Sequence, residues 1–247
     1  MLAPNDPLVI EPDRRLEGPS GDFPLGTDHL GRCVLSRLVY GARWSLGTAA
    51  VASVLIVGVG VTLGAMSGFY RGPVDAVLMR VVDVLLAFPA LIPALAIVGM
   101  LGPGMLHVLI ATVAVWWASY ARLVRGLALS LRERQFIEAA RALGAGDLRI
   151  ISRQLLPNLL PPVLVLASVE MGSLVLAMAG LSFLGLGAQP PTPEWGAMLN
   201  DGRAYLLTAP QLMIYPGLAI SLAVIGFNLV GEGVRDLLDP RIAGSAR

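Results

Sequence analysis

Four stretches of this chain are too long and too free of charge to be the interior of a soluble domain. Trp44 to Tyr70, Val84 to Ala121, Met171 to Pro193 and Ala204 to Gly231 contain no Asp, Glu, Lys or Arg. About 20 apolar residues in helical form cross a bilayer core, so Val84 to Ala121 exceeds a single crossing. The spacing predicts five helical spans, at about 45–68, 83–101, 105–124, 160–185 and 211–231. Gly102-Pro103-Gly104 supplies the turn between the second and third. The runs are continuous rather than alternating apolar and polar, which argues against a membrane β-barrel. The expected fold is therefore all-α: a polytopic transmembrane helix bundle with five visible spans. Composition agrees, with 55% hydrophobic and only 14% charged residues, where a soluble domain carries about a quarter charged.

The charged residues exclude several chemistries. All 18 basic residues are Arg. Without Lys the chain cannot supply a P-loop lysine, a Schiff base or a lysine general base. Nucleotide hydrolysis, if it drives this protein, belongs to another subunit. A single Cys, Cys33, excludes an intramolecular disulfide, and two His distant in sequence, His29 and His107, make a zinc site unexpected. A net charge of +1 gives no reason to expect nucleic acid as a partner.

Arg placement sets orientation. The loops 71–82, 122–158 and 232–247 hold twelve of the 18 Arg. Positive-inside places that set, and the C-terminus, in the cytoplasm. Five spans then put residues 1–43 outside, although they are polar and carry no hydrophobic signal. The reading is that a first transmembrane helix is missing upstream of Met1.

The longest loop, 126–158, is the informative one. Ser130 with Glu133 forms a potential capping box. An Ala-rich helix follows through Phe136 to Leu143, and Gly144 and Gly146 stop it. Asp147 can N-cap a second helix that ends before Pro157. Leu131, Ile137, Ala140 and Leu143 are expected on an apolar face, and Arg132, Arg134, Glu138 and Arg141 on a charged one. A short amphipathic helix ended by glycine suits docking into a partner's groove; a linker lying in the membrane interface is the other reading.

Glu138-Ala139-Ala140, three residues, Gly144, then Leu156-Pro157 resembles the EAA loop of ABC importer permeases. Leu25 to Arg32 with Ser36-Arg37 and Tyr40 to Arg43 resembles the opening of the branch that serves dipeptides, oligopeptides and nickel. Gly180 to Gly187, Pro190-Pro191 and Glu194-Trp195-Gly196 resemble the same branch, as do Phe227-Asn228-Leu229 and Arg235 to Arg241. Cys33 and Gln154 depart from its pattern. The likeness covers about residues 2–241, essentially the whole chain.

The resemblance implies a type I ABC importer permease, whose relatives have six spans. It implies a coupling helix bearing Glu138, Ala139, Ala140, Arg141 and Gly144, with Leu156 and Pro157 behind it. It implies a segment plan of 1–43 extracytoplasmic, 44–232 transmembrane permease domain, and 233–247 cytoplasmic tail. The partners implied are two ATP-binding cassette ATPases, a second homologous permease, an extracytoplasmic substrate-binding protein and the inner membrane lipid. The chain itself is expected to catalyse nothing and to hold no cofactor or metal. The cargo is left open among peptides, nickel chelates and glutathione-like peptides.

Other residues invite readings of their own. Glu170 lies deep in the fourth span, where an ionisable group is costly; it either lines the translocation path or joins helices through a hydrogen bond. Gly60, Gly64 and Gly68 place a smooth stripe on one helix face, suited to close packing within the bundle. Pro89 and Pro93 are expected to kink or open the second span. Arg80 and Asp83 are spaced to pair, and Trp116, Trp117 and Tyr120 to form an interfacial belt. His29 and His107 read as structural. A stand-alone ion- or proton-coupled carrier using Glu170 is the competing function. An intramembrane hydrolase built on Ser182 is disfavoured because residue 184 is Leu and the elbow Gly-x-Ser-x-Gly is incomplete.

Overall fold

The structure, a computed structural model, describes residues 3–238. Among the described residues nine α-helices run in order: α1 Val34–Tyr70, α2 Gly72–Leu86, α3 Leu91–Leu101, α4 Met105–Arg132, α5 Gln135–Ala142, α6 Asp147–Ile150, α7 Leu156–Phe183, α8 Trp195–Gly202 and α9 Gln211–Leu238. A single wide turn, Ile151–Leu155, joins α6 to α7 without a break. The Asp239-Pro240-Arg241 motif lies outside the described residues.

Four of these helical segments are long and apolar enough to cross a membrane: Val34–Tyr70, Met105–Arg132, Asp147–Phe183 and Gln211–Leu237. The remaining expected span, the second at about 83–101, is not one straight helix, and its first part begins at Gly72, within the expected loop 71–82. It is the pair α2 and α3, bent by 92°. The bend falls at Ala87 to Ala90, where Pro89 has no N–H to offer the helix ladder and its ring crowds the preceding turn. Pro93 sits in the first turn of α3, where a missing donor costs nothing, and does not kink it.

Helix α1 begins eleven residues before the expected start at 45. At 1.5 Å per residue its 37 residues extend about 55 Å, well beyond a bilayer core. Hydropathy misses this outer part because Arg37 and Arg43 interrupt the apolar run. Arg37 is nevertheless buried, held in an ion cluster.

The described residues fall into two compact units, 3–52 with 95–112 and 171–226, and 53–94 with 113–170 and 227–238. In the first, Val34, Ala209 and Leu212 make a core capped by Leu16, Leu25, Leu38, Tyr205 and Tyr215. The irregular N-terminal segment is pinned there by backbone bonds, Glu11 N–H to Leu30 O at 3.1 Å and Thr27 N–H to Glu17 O at 3.1 Å. Beneath it, Asp28 accepts from Arg32 Nε at 2.7 Å and pairs with Arg37 Nε at 3.4 Å, and Asp201 lies 3.7 Å from both guanidinium groups. Two buried cations thus face two carboxylates, the arrangement that makes buried charge tolerable.

In the second unit the glycine stripe of α1 meets α4. A Cβ on Gly60 would lie 2.4 Å from Tyr120 Cβ, one on Gly64 2.6 Å from Ala121 O, and one on Gly68 2.7 Å from Ala128 Cβ. Backbone therefore packs directly on α4, as the spacing predicts. Tyr120 is buried against this stripe, not displayed in an interfacial belt. Val82 packs with Ala118 and Ala121, fastening α2 to the same helix.

Candidate coupling loop and intramembrane site

Helix α4 does not stop at Ser130. It runs on to Arg132, so the Ser130–Glu133 capping box does not form. A membrane helix already packed along its length propagates more cheaply than it nucleates anew. Glu133 instead meets Arg71 at 2.8 Å. After a two-residue break, α5 starts at Gln135, with Arg134 in extended conformation and no side-chain cap. It carries Glu138, Ala139, Ala140 and Arg141 in two turns.

Gly144 ends α5 with φ of 80°. That left-handed position favours glycine. Its N–H donates to Arg141 O at 2.9 Å, and Ala145 N–H to Ala140 O at 3.0 Å. Gly146, extended, occupies the cap position ahead of α6, so Asp147 is the first helical residue rather than the cap. The second helix does not end before Pro157 either. It passes through the wide turn, where Leu156 N–H reaches back five residues to Ile151 O, and continues as α7 through Pro161 and Pro162.

Exposure divides the loop's residues. Ile137 and Ile150 are fully buried and anchor the two short helices. Leu143, expected on the apolar face, is 89% exposed, Leu148 is 80% exposed, and Phe136 is 39% exposed. Glu138 and Arg141 are exposed beside them, and the Glu138 carboxylate makes no ion pair or side-chain hydrogen bond among the described residues. Leu156 is half-buried and Pro157 exposed. No side-chain hydrogen bond or ion pair among the described residues ties either to α5. The loop thus presents leucines and an unpaired carboxylate together.

Several ion pairs around this loop were not legible in sequence. Asp75 receives Arg125 through Nε at 2.5 Å and Nη2 at 2.7 Å, and also accepts from Ser67 Oγ. Asp83 pairs with Arg122 at 2.5 Å rather than with Arg80. Each pair joins α2 to α4, residues 39 and 50 apart in sequence. Local spacing cannot reveal such partners.

Glu170 is half-buried in α7. Its carboxyl lies beside the buried Tyr120 hydroxyl of α4, which it does not meet in normal hydrogen-bond geometry.

In the first unit Glu194 is the residue sequence reasoning passed over. It is 1% exposed and N-caps α8, accepting from Gly196 N–H at 3.0 Å and Ala197 N–H at 2.9 Å. Ser45 Oγ of α1 donates to it at 2.9 Å, and Trp195 Nε1 donates to Leu38 O at 2.9 Å. Glu194-Trp195-Gly196 is therefore a joint between α1 and α8. A Cβ on Gly196 would lie 2.4 Å from Ala179 O, which explains the glycine. The signal was present: an acid just before an apolar helix in a segment otherwise poor in charge.

His107 Nδ1 donates to Gly102 O at 2.9 Å, closing the turn between α3 and α4. His29 stacks on Tyr205 at 5.4 Å. Cys33 is buried and pairs through its backbone with Thr27. Ser182 Oγ is buried with no hydrogen-bond partner among the described residues.

Comparison with known proteins fits this construction. Residues 60–244 match the family of binding-protein-dependent transport system inner membrane components. The chain is 45% identical over 239 residues to the nickel transport system permease protein NikC of Escherichia coli K12, covering 97% of this chain and 86% of that protein. It is 47% identical to the glutathione transport system permease protein GsiD of Pectobacterium atrosepticum, covering 93% and 76%. It is likewise 47% identical to the dipeptide transport system permease protein DppC of Alkalihalophilus pseudofirmus, covering 98% and 80%. Among solved structures, the inward-facing MetNI methionine ABC transporter superposes with a TM-score of 0.65 at 20% identity, covering 82% of this chain and 96% of that one. The fold is thus that of a type I permease, and nothing in these likenesses favours a stand-alone carrier. The chain belongs to the binding-protein-dependent inner-membrane component family: it is a multi-pass membrane permease subunit of an ABC importer, and the ATP hydrolysis that drives transport resides in separate subunits.

Proposed function

We propose that this chain forms half of a translocation pathway with a second, homologous permease. Residues 126–158 are the coupling loop, on which an ATPase subunit docks through Glu138, Ala139, Ala140, Arg141 and Gly144, with Leu156 and Pro157 bracing the start of α7. The carrying observation is the exposure of Leu143 at the end of the short helix that carries the unpaired Glu138 and is closed by Gly144, with Leu148 exposed on the helix that follows. Phe136, Leu143 and Leu148 exposed on one short loop among charged residues suit a partner surface.

The Arg-rich loops support an orientation with α5 and the C-terminal tail in the cytoplasm and residues 1–43 outside, toward an extracytoplasmic binding protein. The relatives named for nickel, glutathione and dipeptides support a small peptide or a metal chelate as cargo. Glu170, beside Tyr120, is the candidate polar group of the path. A purification from native membranes through a C-terminal tag tests the assembly. Two ATPases and a second permease should co-purify, and Glu138→Arg with Leu143→Asp should release the ATPases while the permeases stay paired. ATPases retained by that double variant would sink the docking assignment.

A further inference from the structure

The corner between α1 and α2 carries a conformation its residue should avoid. Arg71 has φ of 59° and ψ of −164°, a region essentially reserved for glycine, and Gly72 follows at φ of 78°. A glycine at 71 would remove the strain. The arginine side chain is what the position retains in exchange.

That side chain and its neighbour Phe69 grip the coupling loop from both sides of the α4–α5 break. Arg71 Nη2 pairs with Glu133 at 2.8 Å. Arg132 Nη1 donates to Phe69 O at 2.5 Å. The buried Phe69 ring carries the Arg141 guanidinium 5.3 Å from its centroid, and Arg141 sits in the last turn of α5. The last residue of α4, the break and the far end of α5 are therefore all held by residues 69–71. Immediately beyond, Ser67 and Arg125 hold Asp75 at the start of α2. A chain of contacts thus runs from α5 through the corner into α2 and on to the bend at Pro89.

We propose that Phe69 and Arg71 are positioning residues that transmit displacement of α5 into α2 and the bent α3. Exposed ion pairs on their own hold little. Here a ring, a carbonyl and a strained backbone act on one short segment, which leaves α5 little freedom to move without the corner. The proposal rests on α5 being the ATPase-docking helix.

The test uses the whole importer, purified through this chain and placed in nanodiscs, with a spin label at Ile92, an exposed residue of α3. Its spectrum is compared without nucleotide and with ATP plus orthovanadate. The wild type should show a nucleotide-dependent change at position 92. In Phe69→Ala and Arg71→Glu that change should fall about fivefold or more with the ATPases still bound. Exchanging the charges, Arg71→Glu with Glu133→Arg, should restore most of it. Arg71→Gly relieves the backbone, so it folds at least as readily, yet should also lose the change. An unaltered change in Phe69→Ala and Arg71→Gly with ATPases bound overturns the relay alone, as does a wild type with none. ATPases absent from the wild-type complex overturn the docking assignment and the relay with it.

Discussion

Glu194 shows how much one buried carboxylate can organise. It satisfies two orphan amides of α8 and a hydroxyl of α1. Glu194→Ala would strand two buried donors and one half-buried one. The expected loss is about 2–3 kcal/mol, read as a lower unfolding temperature in detergent. Glu194→Gln keeps an acceptor and should lose less; equal losses would mean that the cap carries no weight. The same scale shows what sequence can and cannot tell. The turn at Gly144 was legible because a left-handed backbone leaves few choices. The exposure of Leu143 was not legible because helix periodicity assigns an apolar face but not whether anything of this chain covers it. Arg71–Glu133 and Asp75–Arg125 were invisible because their partners lie on other helices.

At the scale of elements, the uncharged runs named the spans, and the proline in the second marked its weakness. What they did not give was the size of the bend or the reach of α1 beyond the apolar region. Both depend on tertiary partners: the ion cluster that shelters Arg37, and the packing of Val82 that holds α2 on α4. Pro89→Ala would restore a backbone donor and remove a clash worth about 3 kcal/mol in a helix interior. The pair α2–α3 should then straighten in part, lengthening the distance between spin labels at Val77 and Ile92. ATP-driven transport should fall while the ATPases stay bound. An unchanged distance would mean that packing alone maintains the bend.

For the molecule as a whole, charge asymmetry gives a sidedness that can be measured directly. Cys33 is buried, so single cysteines introduced elsewhere report cleanly. A cysteine at the exposed Leu237 should react with a membrane-impermeant maleimide only in inside-out vesicles, and one at Asp22 only in right-side-out cells. The reverse pattern would overturn the assigned orientation. Family and bundle were legible across nearly the whole length because loop motifs and hydropathy are local. The two compact units were not, since each gathers segments from three separate parts of the chain.

The glycine stripe of α1 has a consequence for how this protein can vary. With Gly60, Gly64 and Gly68 pressed on the α4 backbone, even one added methyl meets an atom within 3 Å at each site. Their neighbours Gly58 and Gly47, on the same helix, face open space. A population of surviving variants would therefore carry a blank every fourth position along this stretch, with substitution freest at exposed positions such as Thr62 and Met66. The pitch of the helix would be written in which mutations are missing.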